Sequence, residues 1–157
     1  MINRYAYKTI IGRLIIAEEN NQIIEISFEE KDNIDYEDQK ETPIIRKAIK
    51  QMQEYLYGTR KEFDLPLNPK GTLFQKAVWE VLKSIPYGET WSYQQVAEAI
   101  GNKAASRAVG MANHNNPIAI VIPCHRVIGK RGSMVGYAGG IDRKIELLNL
   151  EKQYHRK

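Results

Sequence analysis

Hydrophobic positions follow two different rhythms along the chain. In the first part they alternate or cluster in short β-branched bursts, and RYAYKTI, GRLIIAEE and IIEISFEE read as three strands of an antiparallel meander. Asn20-Asn21 supplies a turn between the last two. The acidic stretch EEKDNIDYEDQKE, residues 29–41, lacks such a rhythm and reads as a solvated loop. Pro43 then opens a helix, IIRKAIKQMQEYLYG, with Ile45, Ile49, Met52 and Leu56 on one face and Gly58 as its stop. The stretch LPLNPKGT, Leu65 to Thr72, divides an N-terminal sheet-and-helix domain, residues 1–70, from a C-terminal domain, residues 71–157.

In the second part the apolar positions recur at helical spacing. Thr72 and Gln75 form a capping box, and Phe74, Val78, Val81, Leu82 and Ile85 follow until Pro86, with Trp79 read as core beside them. After the turn at Tyr87-Gly88, Ser92 and Gln95 make a second capping box, with Trp91 and Val96 placed as a hydrophobic staple. That helix, YQQVAEAI, stops at Gly101, and Asn102 caps another running from Lys103 to about Asn113. Two short helices joined by a glycine-bearing turn outline a helix-turn-helix. On the second of them Ala105, Val109 and Ala112 face inward, while Ala104, Arg107, Ala108 and Met111 form an outer face that is bare apart from one long cation. Such a face approaches another molecule closely, and it equally describes a good helix former with a solvated arginine.

Composition narrows the field. A chain of 157 residues with 43% hydrophobic content can bury a core, in one compact domain or two small ones. The longest apolar run, Ile118 to Pro123, is far short of a membrane span, and the charged N-terminus lacks the apolar segment of a signal peptide, so a cytoplasmic protein is expected. Residues 71–157 carry twelve Lys or Arg against six Asp or Glu, whereas residues 1–70 carry eleven against thirteen. A basic half fits a polyanionic partner, although an ordinary solvated face has the same composition.

The candidate chemistry lies in IAIVIPCHRVIGK, which holds the only cysteine, Cys124, next to His125. A single cysteine cannot form an intramolecular disulfide, and a free one is by default a small buried hydrophobe. The other soft ligands are His114, His125 and His155, with no CxxC or HxxxH spacing, which argues against a metal; no cofactor is implied.

Taken in order, SYQQVAEAIG, SRAVG, NPIAIVIPCHRVIG and GYAGG followed by RK and LL resemble the O6-alkylguanine-DNA alkyltransferases. These proteins repair alkylated DNA by moving the alkyl group onto their own cysteine. The likeness spans Phe74 to about Glu151, and PCHRV in that setting is its most specific part. It implies an α/β (α+β) fold: a small antiparallel sheet with a helix, ribonuclease H-like in the family, then a mainly helical, winged-helix-like DNA-binding domain.

For the site, the resemblance implies that Cys124 accepts the alkyl group and that His125 removes its proton through water. Glu151 would then hold the imidazole in the useful tautomer. Asn116, before Pro117, would tie the turn preceding an active-site strand to the cysteine loop. An unshifted thiol is only a few per cent ionised at neutral pH, so the site must favour the anion or take its proton during attack.

The partner implied is duplex DNA containing O6-alkylguanine, bound by a monomer through the minor groove with the target base flipped. Arg107 would fill the gap the base leaves, and Ala104 and Ala108 would let the helix settle in the groove. Tyr93 would support rotation of the nucleotide and protonate the departing guanine, and Tyr137 would cover the base. Backbone groups of Val127 and Ala138 would read the guanine edge. With no second cysteine to take the carbon onward, the reaction ends after one turnover. Two other classes fit parts of the pattern: a sequence-specific DNA-binding regulator, and a cysteine hydrolase, which would leave Arg107 and the alanine-rich helix without a role.

Overall fold

The computed structural model describes residues 1–29, 39–134 and 136–155. They form two compact units, Met1–Pro69 and Lys70–Lys157. Most of the expected acidic loop lies outside the described residues. No helix among them is long and apolar enough to cross a membrane.

In the first unit β1 (Ile2–Thr9), β2 (Gly12–Glu19) and β3 (Gln22–Phe28) form an antiparallel sheet in that order. Asn20 and Asn21 both adopt positive φ, 53° and 63°, which is the tight-hairpin geometry that asparagine tolerates better than most residues. The bonds from Glu18 to the Asn3 side chain, 2.8 Å, and to the Asn21 amide, 3.1 Å, fasten that corner. Leu14, Ile16, Ile23 and Ile26 make the apolar side of the sheet. Helix α1 (Pro43–Leu56) buries Ile44, Ile45, Ala48, Gln51, Met52, Tyr55 and Leu56. Ile49, placed by spacing in the buried stripe, is only half-buried, because the stripe turns toward Ala48 and Tyr55. Gln51 is buried with both ends of its amide on the backbone of Asp64, so its polarity is satisfied.

The second unit packs α2 (Leu73–Leu82), α3 (Tyr93–Ala99) and α4 (Ser106–His114) against one another. Both capping boxes form as the sequence predicts, at Thr72 with Gln75 and at Ser92 with Gln95. Trp79 is buried and its indole N–H donates to the Ala112 carbonyl at 2.8 Å, joining α2 to α4. Phe74, in contrast, stays exposed on the first turn of α2. Asn102 caps a 3-10 turn, Lys103–Ala105, that leads into α4. Val109 and Ala112 point inward, and Ala104, Arg107, Ala108 and Met111 are exposed, as their spacing predicts. Helix α5 (Ile141–Tyr154) closes the unit.

The strand expected to lead to the cysteine is absent, and the reason is local. Ile118–Pro123 is an irregular loop in which Ala119 bridges to Ile122 and Ile120, though β-branched, has φ 72°. The Asn116 side chain accepts from the Ile118 amide, 3.0 Å, and donates to the Ile118 and Ile122 carbonyls, 3.3 and 2.8 Å. Backbone groups that a neighbouring strand would have paired are taken by that side chain and by tight local bonds, Ile122 N to Ile118 O at 3.1 Å, Val121 N to Ala119 O at 2.8 Å and Cys124 N to Ile122 O at 2.7 Å. Among the described residues of this unit the only sheet is a two-residue parallel pair, β4 (Trp91–Ser92) with β5 (Val127–Ile128).

Candidate active site

Cys124 opens a 3-10 turn, Cys124–Arg126, whose three side chains are all buried. The turn is held from several sides. Asn113 of α4 donates its side-chain amide to the Cys124 carbonyl at 3.3 Å, and the Val127 amide bonds to the same oxygen. Asn116 anchors the loop before it and lies near enough to the sulfur to favour its thiolate form.

His125 and Glu151 meet directly, His125 Nε2 lying 2.6 Å from Glu151 Oε2 in a site that is 0% and 1% exposed. Arg126 grips the same carboxylate twice, Nε to Oε1 at 2.8 Å and Nη2 to Oε2 at 3.0 Å. The Gly88 amide adds a fourth donor at 3.1 Å. Arg126 Nη1 bonds to the Ile85 carbonyl at 2.7 Å, and its guanidinium lies 5.6 Å from the Tyr87 ring centroid.

These contacts set the proton positions. Burial alone would raise the Glu151 carboxyl, but His125 and Arg126 outweigh it and hold the group well below the carboxylate range, so it is an anion. Burial lowers His125 against the pull of Glu151, so the ring is neutral at pH 7. A neutral ring facing a carboxylate donates from Nε2 and keeps Nδ1 as its basic nitrogen. Burial pushes the Cys124 thiol up to about 11, against the opposing effect of Asn116, Lys144 and two backbone amides. The resting site therefore holds a thiol, and its proton leaves during attack rather than before it.

Tyr93 and Tyr137 stand close enough to feel the sulfur: burial first, then Cys124, raises both hydroxyls. Tyr93 opens α3, its hydroxyl 2.8 Å from where a Cβ on Gly136 would stand and its ring carbons 3.9 Å from one on Gly110. Gly136 also has φ 82°, so glycine is required there on two counts.

The structure thus gathers Cys124, His125, Glu151, Asn116, Tyr93 and Tyr137 from five segments of chain. Val127 is buried, and its carbonyl already accepts from the Lys144 ammonium at 2.5 Å. Ala138 is exposed in the tight turn before α5, where Gly140 N bonds to Tyr137 O at 3.0 Å. Arg107 and Ala108 lie on the exposed outer face of α4, and Ala104 is exposed in the 3-10 turn before it; none of the three joins the buried cluster.

Sequence reading missed Arg126, Lys144, Asn113 and the Gly88 amide. Arg126 had a signal, since a buried imidazole–carboxylate pair needs a cation to hold the carboxylate charged. The other three had none, because only the fold brings them near residues 124–127.

A buried thiol on the same turn as an imidazole–carboxylate pair, in a unit of packed helices, defines a class of proteins built around one cysteine in a buried polar site. The comparisons with known proteins specify it further. Residues 73–153 match the DNA binding domain of 6-O-methylguanine DNA methyltransferase, and residues 3–69 match its ribonuclease-like domain. The chain belongs to the 6-O-methylguanine DNA methyltransferase family. It is 47% identical over 152 residues to the constitutive methylated-DNA–protein-cysteine methyltransferase of Bacillus subtilis, with 92% of each chain covered. With the methylated-DNA–protein-cysteine methyltransferase of Methanosarcina acetivorans the identity is 46%, covering 92% of this chain and 95% of that one. The crystal structure of Mycobacterium tuberculosis OGT in complex with DNA superposes with a TM-score of 0.88 at 42% identity, covering 97% of this chain and 94% of the other.

Proposed function

We propose that this protein repairs DNA by direct, irreversible transfer of an alkyl group from O6-alkylguanine to Cys124. The observation that carries the reading is the 2.6 Å His125–Glu151 contact beside the one cysteine, in a member of this family. In the transfer the sulfur forms a bond to the alkyl carbon while the bond from that carbon to O6 breaks. The thiol proton passes to Nδ1 of His125 through water, and Glu151 stabilises the imidazolium that results. The departing guanine takes a proton from the Tyr93 hydroxyl.

The partner is DNA. A sulfur in a residue 4% exposed cannot meet a base still stacked in a duplex, so the base is flipped out to reach it. The bare outer face of Ala104 and Ala108 enters the minor groove, Arg107 fills the vacated stack, and Tyr137 covers the base. The carbonyl of Val127 and the backbone of Ala138 read the guanine edge, and Asn116 supports the cysteine loop. The protein acts as a monomer in the cytoplasm, where its single thiol stays reduced. A thioether is a poor leaving group, and no second cysteine stands ready to take the carbon, so each molecule acts once.

Intact mass spectrometry tests this. After mixing with a duplex containing O6-methylguanine, one methyl-for-hydrogen increment is expected on Cys124, saturating at one equivalent and absent in Cys124→Ser. An unchanged mass with unchanged DNA, or turnover beyond one equivalent, overturns the reading.

A further inference from the structure

Lys144 is fully buried, at 0% exposure, a condition an ammonium seldom accepts. It also sits in the first turn of α5, where the helix end is itself positive and a cation is disfavoured. Two unfavourable placements coincide at one residue, and burying a charge destabilises the fold unless something offsets it. Its Nζ donates to the Val127 carbonyl at 2.5 Å, three residues past Cys124. Lys144 and Glu151 are seven residues apart, two turns of α5, so one helix face brings a cation and a carboxylate to the Cys124–Arg126 turn.

The charges around the sulfur are unequal. From its own turn come His125 and Arg126, from α5 Lys144 and Glu151, from α3 Tyr93, and from the loop before α5 Tyr137. Glu151 is engaged by Arg126 and His125, so among these buried groups the two cations outnumber the one carboxylate. We propose that Lys144 is a positioning residue for the transfer, holding the Val127 carbonyl and supplying the fixed positive charge toward which the Cys124 sulfur ionises during attack. This deepens the alkyl-transfer reading and rests on it. Burial lowers the Lys144 amine and the neighbouring sulfur raises it, while Lys144 in turn favours the thiolate, so each group supports the charged form of the other. An ammonium fixed in advance acts mainly when negative charge builds on the sulfur, which accelerates the step rather than tightening ground-state binding.

The single cysteine allows a direct test without DNA. Alkylation of Cys124 by iodoacetamide, which is neutral, and iodoacetate, an anion of nearly the same size, is followed from pH 7 to 9. The ratio of the two rates reports the local potential and is insensitive to loosened packing, which changes both rates alike. Lys144→Met should slow iodoacetamide ~10-fold at each pH, because the thiolate loses a fixed cation that favours it. It should also lower the iodoacetate-to-iodoacetamide ratio severalfold. Lys144→Gln keeps a donor for Val127 without the charge and should behave likewise, whereas Lys144→Arg should keep the wild-type ratio. A ratio unchanged in both neutral variants overturns the role of Lys144, and so does a lowered ratio in Lys144→Arg. Should Lys144→Met fail to fold, Lys144→Gln alone decides. Methyl transfer by the wild type is measured alongside, and its failure would instead sink the alkyl-transfer reading.

Discussion

At the scale of single residues the site is governed by Glu151. It receives His125, two nitrogens of Arg126 and the Gly88 amide, so it is a satisfied anion although it is buried from bulk solvent. Glu151→Gln removes the charge but leaves Arg126 buried. Breaking one side of a buried pair costs about 3–5 kcal/mol, and the amide can present either end to the ring, so the tautomer of His125 is no longer fixed. Denaturant unfolding should show that loss. Single-turnover methyl transfer should fall by ~100-fold, the lower end of what a positioned acid–base partner contributes. A variant that unfolds like the wild type and transfers at the same rate would remove Glu151 from both roles.

Among the elements, α4 divides its work between two faces. Val109, Ala112 and Asn113 face the core, and Asn113 reaches the Cys124 carbonyl, so the helix that carries Arg107 also holds the cysteine turn. The outer face contributes no packing. Ala108→Glu should therefore leave stability within about 0.5 kcal/mol of wild type, as exposed substitutions do. On the face proposed for DNA a carboxylate faces phosphate charge, so affinity for duplex DNA should drop ~10-fold or more while the reaction of Cys124 with iodoacetamide stays the same. Unchanged DNA affinity would place the DNA on another surface. The helix pair was legible because its signals are local: the capping box at Ser92 and Gln95, Gly101 as the stop of α3 and Asn102 as the cap of the turn that leads into α4. The loop Ile118–Pro123 misled for the opposite reason. Apolar runs look alike whether their backbone groups pair with a strand or with one asparagine.

For the molecule as a whole, the buried site makes stability depend on pH. His125 is held neutral, so its folded pKa lies below the unfolded value of 6.5. The unfolded chain then binds a proton that the native one refuses, and stability falls as pH drops below that value, by at most about 1.4 kcal/mol per pH unit for one group. Glu151, depressed in the same sense, adds a second loss as pH drops below its unfolded value of 4.5. Thermal melts between pH 8 and 2 should show both phases, and His125→Gln should remove the first. A melting temperature flat from pH 7 to 5 would mean that the ring is not held neutral.

The sequence by itself determined the β-meander, α1, the capped helix pair, the inner and outer faces of α4, and the adjacency of Cys124 and His125. Each of these rests on contacts within a few residues or on a periodicity that one segment carries alone. Only the tertiary structure decided that Glu151, 26 residues from His125, closes on it, that Arg126 holds that carboxylate charged, and that Lys144 lies buried beside the cysteine turn. Burial is what gives those charges their effect, and it depends on which segments come together. A linear chain records that Lys144 is a lysine on a helix; the fold alone removes the water around it.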